Sequence, residues 1–211
     1  MNETDLRLFA ELGVATVYEA AGRVGLVDIP LTQIVPGSRA AGPARTVRCG
    51  QDDNLMVHAV MAQAQRGEIL VITMPDPAPV ALVGELLATQ AAVRGVAGLL
   101  IDGSIRDVEA LREMGLPIWS RFIRVRGATK TIVGSLNQPV TIGGATIRPG
   151  DLVVLDEDGA VAVPADRMAE VLEASLARRN KEAATREKLS GGALTYDLHG
   201  LRNLVDGKER S

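Results

Sequence analysis

Cysteine and histidine are scarce, and their scarcity removes several kinds of functional site. The 211 residues include one cysteine, Cys49, and two histidines, His58 and His199. A single cysteine excludes an intrachain disulfide and any zinc site built mainly from cysteine, and it is typical of a protein of the reducing cytoplasm. Without a Gly-x-Ser-x-Gly elbow, a Ser-His-Asp or Cys-His centre also has little to build on. His58 falls in a predicted helix, where a place on the helix face explains it without a catalytic role.

Aromatic residues and excess positive charge are also in short supply. Only five residues are aromatic although 46% are hydrophobic, so the core has to consist mainly of aliphatic side chains, as in an α/β protein. Modules that stack bases on aromatic platforms are therefore disfavoured. The net charge of −3 provides no positive field to attract a phosphate backbone. The composition predicts that nucleic acid is not a partner.

Long hydrophobic runs are missing as well. No apolar stretch approaches the roughly 18–20 residues of a membrane span. The first residues, "MNETDLRLFAELG", are charged and patterned as an amphipathic helix rather than as a signal peptide. The sequence predicts a soluble cytoplasmic protein that has no membrane partner.

What is present alternates between helical and strand patterns over the first half of the chain. Two short helices are predicted on either side of Gly13, followed by a strand region, "SRAAGPARTVRCG", that is broken at Gly42-Pro43. A helix is predicted from about Asn54. The strand "EILVITMP", the helix "VGELLATQAAVRG" and the strand "VAGLLI" then form a β-loop-α-β unit, which is normally a right-handed parallel crossover.

The second half of the chain changes from helices and strands to hairpins and then to one long helix. A short helix closed by Gly115 precedes the strand "LPIWSRF", and residues 138–164 contain four β-rich pieces typical of hairpins. Pro164 opens a long helix whose later turns are polar. Solvent alone explains that polar face, and projection onto a neighbouring subunit is the alternative. We predict one domain over residues 1–211, with a helical extension from about 165 to 211.

The stretch "DGSIRD" places Arg106 beside Asp107 shortly after an apolar run. That run, "VAGLLI", predicts a buried strand that ends at Asp102-Gly103. Ligands bind at the carboxyl ends of strands in open α/β sheets, so an arginine next to an aspartate there can hold an anion and a cation together. A helix start that carries solvated charges is the alternative.

A second carboxylate is predicted at the same edge of the sheet. Glu85 begins the helix of the preceding β-α unit, and consecutive parallel units place their helix starts at one edge. Carboxylate oxygens without cysteine or histidine suit Mg²⁺ or Mn²⁺. The free backbone N–H groups of Glu85, Leu86 and Leu87 favour an anionic oxygen. Lys130, in the polar setting "RGATKTI", lacks the desolvation that a Schiff-base lysine needs.

Four stretches together resemble the RraA-like family: "GVATVYEAAGRVG", "VGELLATQAAVRGVAGLLIDGSIRDVEAL", "LPIWSR" and "GDLVVLDEDGAVAVP". Members of this family include the 4-hydroxy-4-methyl-2-oxoglutarate/4-carboxy-4-hydroxy-2-oxoadipate aldolases and a ribonuclease regulator. The resemblance covers nearly the whole chain. It implies a β/β/α sandwich of the swivelling phosphohistidine-domain type with a C-terminal helical tail. It also implies a homotrimer or homohexamer whose active site lies at a subunit interface.

The resemblance also implies roles for four charged residues. Asp107 matches the direct metal ligand, and Arg106 matches the group that holds the carboxylate of an α-keto acid. Glu85 matches an acid that binds metal-bound water, although some members have aspartate there. Glu182, in the polar tail helix, matches an acid that the adjacent subunit supplies, again through water.

Backbone groups complete the site that the resemblance implies. Gly84 and the start of the following helix match a substrate-binding segment, in which the N–H groups of Leu86 and Leu87 stabilise an enolate oxygen. Tyr18 stands where the aldolases often have histidine, and this difference bears on which substrate is used.

The function implied is that of a divalent-metal-dependent pyruvate aldolase. Such an enzyme cleaves 4-hydroxy-2-oxo diacids to pyruvate and decarboxylates oxaloacetate, because both reactions leave pyruvate enolate and a cation stabilises its charge. The alternative is a non-catalytic regulator that binds and inhibits an RNA-processing ribonuclease. The pairing of Arg106 with Asp107 favours catalysis, since inhibition by docking needs no arginine beside a metal-binding carboxylate.

Overall fold

The computed structural model describes residues 2–206 and has a mixed α/β fold. Contacts divide the chain into two compact units, Met1–Ser175 and Leu176–Ser211, and the boundary falls inside the long helix Met168–Ser190. Within the described residues, no helix combines the length and the apolar character needed to cross a membrane. The main sheet, the helices that precede residue 168 and the pocket described below all belong to the first unit.

The elements alternate along the first unit and become purely helical in the second. The helices are α1 (Glu3–Ala20), α2 (Leu55–Met61), α3 (Glu85–Val93), α4 (Val108–Met114), α5 (Met168–Ser190), α6 (Thr195–Leu198) and α7 (Arg202–Asp206). The strands are β1 (Thr32–Gln33), β2 (Ala40–Arg48), β3 (Ile69–Thr73), β4 (Ala81–Val83), β5 (Gly98–Ile105), β6 (Ile118–Ile123), β7 (Ser135–Leu136), β8 (Val140–Ile142), β9 (Ala145–Ile147), β10 (Leu152–Asp156) and β11 (Gly159–Val163).

Parallel strands form the centre of the main sheet. In residues 2–206 the strand order is β1-β6-β5-β3-β2-β10-β11, with β4 paired to β5 and β7 paired to β2. The pairs β2·β3, β3·β5 and β5·β6 are parallel, which confirms the predicted parallel crossover through α3. The antiparallel pairs β8·β9 and β10·β11 confirm the predicted hairpins.

The predicted break at Gly42-Pro43 is wrong, because β2 runs through it without interruption. What changes there is the partner of the strand. Residues 40–43 pair antiparallel with β10, and Ala44 begins the parallel pairing with β3. A Cβ at Gly42 would lie 2.1 Å from the carbonyl oxygen of Gly67. The glycine therefore allows another backbone to approach where the strand changes neighbours.

The end of β5 also differs from the prediction. The strand does not stop at Asp102 but continues to Ile105, with a register shift against β6 between Ile101 and Ser104. Asp102 is tolerated inside the strand because its Oδ1 accepts a hydrogen bond of 3.0 Å from Nη1 of Arg121 on β6. A buried carboxylate with a hydrogen-bonded cation does not have to end a strand.

Strand residues point alternately into two hydrophobic cores. On β3, Leu70 and Ile72 belong to the core that also contains side chains of α2, α3 and α4. Ile69 and Val71 belong to the core that contains the β8·β9 hairpin. This period of two places helices on one face of the sheet and a hairpin on the other. The more specific assignment to the swivelling phosphohistidine-domain type remains a prediction.

The break predicted in the first helix is confirmed. Gly13 has φ 81° and ψ 166° inside α1, so two helical segments meet there at a kink. The N–H of Val14 donates to Oδ2 of Asp156 over 2.8 Å, and a Cβ at Gly13 would lie 2.7 Å from that same oxygen. The kink thus needs glycine both for its positive φ and for the close carboxylate.

Candidate active site

A cavity of about 150 Å³ lies where the start of α3 meets the start of α4. The sequence predicted that these two helix starts converge. The segments that form it are α2, the junction of β4 with α3, the junction of β5 with α4, and the loop after β6. Its lining residues are Asn54, His58, Ala81, Gly84, Glu85, Leu86, Leu87, Arg106, Asp107, Gly127, Ala128 and Lys130. Six residues predicted from the sequence, Gly84 to Leu87 with Arg106 and Asp107, are therefore brought together.

Gly84 lies directly behind the charged pair. It is the N-cap residue of α3, and its φ of −138° is open to any residue type. A Cβ at this position would nevertheless lie 2.5 Å from Oδ2 of Asp107 and 3.2 Å from Nε of Arg106. The absence of a side chain at residue 84 is what leaves room for both charged groups.

Asp107 connects the starts of two helices. It is the N-cap residue of α4, yet its side chain caps no N–H of that helix. Its Oδ2 instead accepts a hydrogen bond of 3.1 Å from the backbone N–H of Glu85, the first residue of α3. Its backbone has φ 61° and ψ 40°, a left-handed conformation that aspartate tolerates better than most residues. Backbone strain of this kind is concentrated at functional sites.

Arg106 has a side chain that is only weakly engaged by the protein. Its Nε lies 3.6 Å from Oδ2 of Asp107, and the two side chains are 48% and 42% exposed. A half-exposed pair of this kind contributes only about 0–1 kcal/mol to stability. A Cβ at Gly127 would lie 3.3 Å from Nη1, so the guanidinium extends between the two glycines. Its planar set of donors is therefore available to an anion in the cavity.

Two backbone N–H groups also face the ligand side without an acceptor. Within residues 2–206, the N–H groups of Leu86 and Leu87 make no hydrogen bond, and the helical pattern of α3 begins with Ala88 N–H donating to the carbonyl of Gly84 over 3.1 Å. Free donors at a helix start attract an anionic oxygen. Leu87 is buried and anchors the helix, whereas Leu86 is 81% exposed.

Three lining residues with polar side chains were not predicted as functional: Asn54, His58 and Lys130. His58 follows Asn54 by four residues on α2, and side chains at this spacing share a helix face. Burial and the nearby charge of Lys130 lower the pKa of His58. The sequence pattern placed His58 on a helix face and made Lys130 a poor Schiff-base lysine, and the four-residue spacing of Asn54 and His58 was the signal that could have drawn attention to the start of α2.

The donor set decides which cation the cavity could hold. In the part of the chain that the structure describes, no group of three histidine, cysteine or acidic side chains is arranged to hold a metal ion. A closed protein cage of the zinc type is therefore absent from residues 2–206. Mg²⁺ and similar hard cations bind through one or two carboxylates and keep several waters. Asp107, with Glu85 at the same cavity, fits that requirement, and Gly84 leaves the space beside the carboxylate open.

Glu182 and Tyr18 belong to other parts of the chain. Glu182 lies on α5 in the second unit, where its Oε1 is 2.8 Å from Nε of Arg178 one turn earlier, and its side chain is 44% exposed. Tyr18 is partly buried on α1. The contribution of Glu182 to an adjacent subunit's site stays a prediction.

Comparison with known proteins places these features in a wider group. Residues 14–162 match the family described as "RraA-like: Aldolase/RraA". A protein of Halalkalibacterium halodurans, named "Putative 4-hydroxy-4-methyl-2-oxoglutarate aldolase", is 33% identical over 156 residues, which is 74% of each chain.

Two solved structures share the fold over most of their length. An uncharacterized protein from Pseudomonas syringae pv. tomato has a TM-score of 0.80 and 28% identity, covering 92% of this chain and 96% of the other. Streptomyces coelicolor RraAS2, described as an unusual member of the RNase ES inhibitor RraA protein family, has a TM-score of 0.78 and 29% identity, covering 88% and 97%.

Proposed function

The chain belongs to the RraA-like family, and from that premise we propose that it is a divalent-metal-dependent carbon–carbon lyase. Its substrates are 4-hydroxy-2-oxo diacids such as 4-hydroxy-4-methyl-2-oxoglutarate or 4-carboxy-4-hydroxy-2-oxoadipate, which it cleaves to pyruvate. It also decarboxylates oxaloacetate. The observation that carries this proposal is the convergence of Arg106, Asp107 and the two free N–H groups of Leu86 and Leu87 on one cavity.

Substrate binding uses positive groups from different walls of the cavity. Arg106 holds the carboxylate beside the keto group, because a guanidinium can donate two parallel hydrogen bonds to a carboxylate. Lys130 and His58 line the same cavity. Lys130 supplies the positive charge for the second carboxylate of a diacid, which distinguishes such a substrate from a simple keto acid. The lowered pKa of His58 favours a neutral imidazole, which can donate a hydrogen bond beside it.

Asp107 would hold the divalent cation directly, with Glu85, and Glu182 of an adjacent subunit, acting through water. A bound Mg²⁺ or Mn²⁺ supplies Lewis-acid polarisation of the keto group, which lowers the energy of the negative charge that develops there. The carboxylate of Asp107 is oriented for this role by the hydrogen bond from Glu85 N–H. Orientation in advance avoids a reorganisation cost during the reaction.

The backbone of α3 stabilises the same developing charge. When a base removes the proton of the C4 hydroxyl, that oxygen forms a carbonyl with C4 as the bond between C3 and C4 breaks; in oxaloacetate the same bond breaks with release of CO₂. The electron pair of the broken bond moves toward the keto oxygen, which becomes an enolate oxygen, and protonation at C3 then gives pyruvate. The N–H groups of Leu86 and Leu87 donate to this oxygen, in the manner of an oxyanion hole. Removing one such donor in other enzymes typically costs about 10²–10³ in kcat.

The proposed assembly is a homotrimer or homohexamer of the β/β/α swivelling type, as the family resemblance implies. An interface of this kind explains why the later turns of α5 are polar, because acidic side chains there can complete the site of another subunit. The acidic and solvent-exposed character of Glu182 is compatible with that arrangement.

A regulatory function is the second candidate. It is favoured by the similarity to Streptomyces coelicolor RraAS2, whose description refers to a family of RNase ES inhibitors. Inhibition by surface docking does not require the grouping of an arginine, a strained aspartate and free N–H groups. We therefore place catalysis first.

Pyruvate release separates the two candidates. Purified protein is incubated with oxaloacetate and with 4-hydroxy-4-methyl-2-oxoglutarate, first with Mg²⁺ or Mn²⁺ and then after dialysis against EDTA. We expect pyruvate from both substrates with metal, and loss of both activities without it. Absence of pyruvate under all conditions would reject the lyase, and undiminished activity after EDTA would reject the metal.

A further inference from the structure

One buried carboxylate outside the cavity holds two of its walls together. Asp53 is fully buried. Its Oδ1 accepts a hydrogen bond of 2.8 Å from the backbone N–H of Leu55, the first residue of α2. Its Oδ2 accepts four bonds from the loop after β6: 2.7 Å from Thr129 Oγ1, 2.6 Å from Thr131 N–H, 3.1 Å from Ile132 N–H and a long one of 3.5 Å from Thr131 Oγ1.

The carboxylate of Asp53 is charged in the folded protein. Burial by itself would raise its pKa, but the hydrogen bonds from Thr131, Leu55, Thr129 and Ile132 hold the pKa well below its usual range. An ionised group that accepts this many donors keeps a fixed orientation, because losing any donor would leave a buried charge less well satisfied. The loop is thus attached to α2 by a permanent anion.

Lys130 lies between two residues that Asp53 binds. The backbone adds two further bonds, of 2.9 Å each, from Asn54 N–H to the carbonyl of Thr129 and from Thr129 N–H to the carbonyl of Asp52. The same attachment begins α2, which carries His58 into the cavity. The distance between Lys130 and the rest of the site is therefore set through Asp53.

We propose that Asp53 is a positioning residue which, through the loop at Thr129 and Thr131, holds Lys130 where it binds the second carboxylate of a diacid substrate. The inference rests on the proposed function, since it concerns the far end of that same substrate. Asp53 touches no substrate and acts on it through the loop that carries Lys130. Its effect is therefore specific for substrates that have a second carboxylate.

The test compares a diacid with a keto acid that lacks the second carboxylate. The variants are Asp53→Asn, Lys130→Met and the double variant, with Asp52→Asn as the matched control, because it removes the neighbouring charge without affecting the loop bonds to Asp53. Steady-state cleavage of 4-hydroxy-4-methyl-2-oxoglutarate, whose second carboxylate is retained in the reaction, gives KM and kcat. Exchange of the C3 protons of pyruvate in D₂O, with Mg²⁺, reports enolate formation without a second carboxylate. Thermal unfolding is measured for every variant.

We expect both single variants to raise KM for 4-hydroxy-4-methyl-2-oxoglutarate by about ten- to a hundredfold, the loss typical of one charge-assisted hydrogen bond. KM for pyruvate exchange should stay within about twofold of wild type, since its single carboxylate binds at Arg106. KM of the double variant for the diacid should not exceed the higher KM of the two single variants, because the effects of residues that act through one another are not additive. Asp52→Asn should behave as wild type.

Three results would overturn the proposal. A double variant whose KM is the product of the two single effects would mean that Asp53 acts independently of Lys130. An equal fall of diacid cleavage and pyruvate exchange in Asp53→Asn, matching a lower folded fraction, would leave only a structural role. If Asp53→Asn does not fold, Thr129→Val removes one loop bond at constant side-chain shape, and an unchanged KM for 4-hydroxy-4-methyl-2-oxoglutarate in that variant would refute the positioning.

A failure of the proposed function gives a different pattern. In that case the wild-type protein itself neither decarboxylates oxaloacetate nor exchanges the protons of pyruvate, and the role of Asp53 in substrate binding falls with it. When the wild type is active, every deviation in the variants bears on Asp53 and Lys130 alone.

Discussion

Asp107 is held in a left-handed backbone conformation, and its carboxylate joins the starts of α3 and α4. Asparagine tolerates the same conformation and can still accept the hydrogen bond from Glu85, but it carries no charge. We expect Asp107→Asn to remain folded and to lose both lyase and decarboxylase activity by about two orders of magnitude or more. Initial rates and thermal unfolding measure the two effects. Glu109→Gln, an exposed charge in the same helix turn, is the control, and normal turnover by Asp107→Asn would contradict the metal role.

Arg106 offers a planar set of donors that lysine cannot reproduce. The keto-acid carboxylate is present in the ground state and in the transition state, so Arg106→Lys should raise KM. Misplacing the substrate should also lower kcat, for a total loss of about ten- to a hundredfold in kcat/KM. Pyruvate formation by Arg106→Lys and Arg106→Ala is the measurement. Arg94→Lys, at the far end of α3, is the control, and kinetics within about twofold of wild type would leave Arg106 as a solvated charge.

The pKa of His58 responds to the charge of Lys130 and can be measured without an activity assay. Burial is the larger cause of its lowered pKa and Lys130 the smaller. Lys130→Met should therefore raise the pKa of His58 without restoring its ordinary value, whereas Lys130→Arg should leave it unchanged. NMR titration of the imidazole measures this. An identical titration in Lys130→Met would show that the two side chains do not interact.

The lowered pKa of His58 also makes the stability of the fold depend on pH. The folded protein binds a proton at His58 less readily than the unfolded chain does, so stability contributed by this residue falls as pH drops below the unfolded pKa. Above that pKa both states are neutral and the effect vanishes. His58→Gln should accordingly flatten the decline of the unfolding midpoint on mild acidification.

At the scale of secondary structure elements, the approach of the β4–α3 junction to the β5–α4 junction depends on Gly84. A methyl group there would overlap Oδ2 of Asp107 at 2.5 Å, although φ at residue 84 suits any residue. We expect Gly84→Ala to reduce activity strongly, because the carboxylate has to move, and to lower stability as well, because alanine is a poorer N-cap residue than glycine. Kinetics and thermal unfolding distinguish these effects. Unchanged kinetics would mean that the two junctions separate without affecting the site.

The same elements show how far the sequence predicts the site. Periodicity placed α3 and the helix after Arg106 correctly, and parallel topology was enough to bring Glu85, Arg106 and Asp107 to one edge. Local pattern could not reveal that the carboxylate of Asp107 binds the neighbouring helix instead of its own. That contact joins residues that only the assembled sheet brings together.

Non-local contacts also explain the errors in the fold. Asp102 looked like a strand end because its partner, Arg121, lies on another strand. Gly42-Pro43 looked like a break because the change of strand partner is invisible in a local window. The loop that carries Lys130 looked like a polar connection, since its attachment to Asp53 links residues far apart in the chain. Each error concerned a polar or small residue whose partner was distant.

At the scale of the whole molecule, the proposed assembly makes Glu182 part of another subunit's site. Its pair with Arg178 is an exposed i, i+4 contact worth only about 0.3–0.5 kcal/mol. Glu182→Gln should therefore lower activity with little effect on thermal unfolding or on a trimeric or hexameric sedimentation coefficient. Glu187→Gln on the same helix is the control. A fully active monomer would contradict the shared site.

Mixed oligomers give the sharper form of this test. When Glu182→Gln and Asp107→Asn subunits are unfolded together and reassembled, some sites combine an intact Asp107 with an intact Glu182. Random assembly should restore roughly a quarter of wild-type activity, since each site draws the two residues from different subunits. No recovery on mixing would place both residues in a single chain.

The change of partner within β2 has a consequence for how the chain is made. β2 emerges early, but its antiparallel neighbour β10 lies more than a hundred residues further along. During synthesis, one edge of β2 thus stays unpaired until the late hairpin leaves the ribosome. Contacts of such long sequence separation form slowly, and an open strand edge in the meantime can pair with other chains. We therefore expect the first unit to be more prone to aggregation until its last strands have been made.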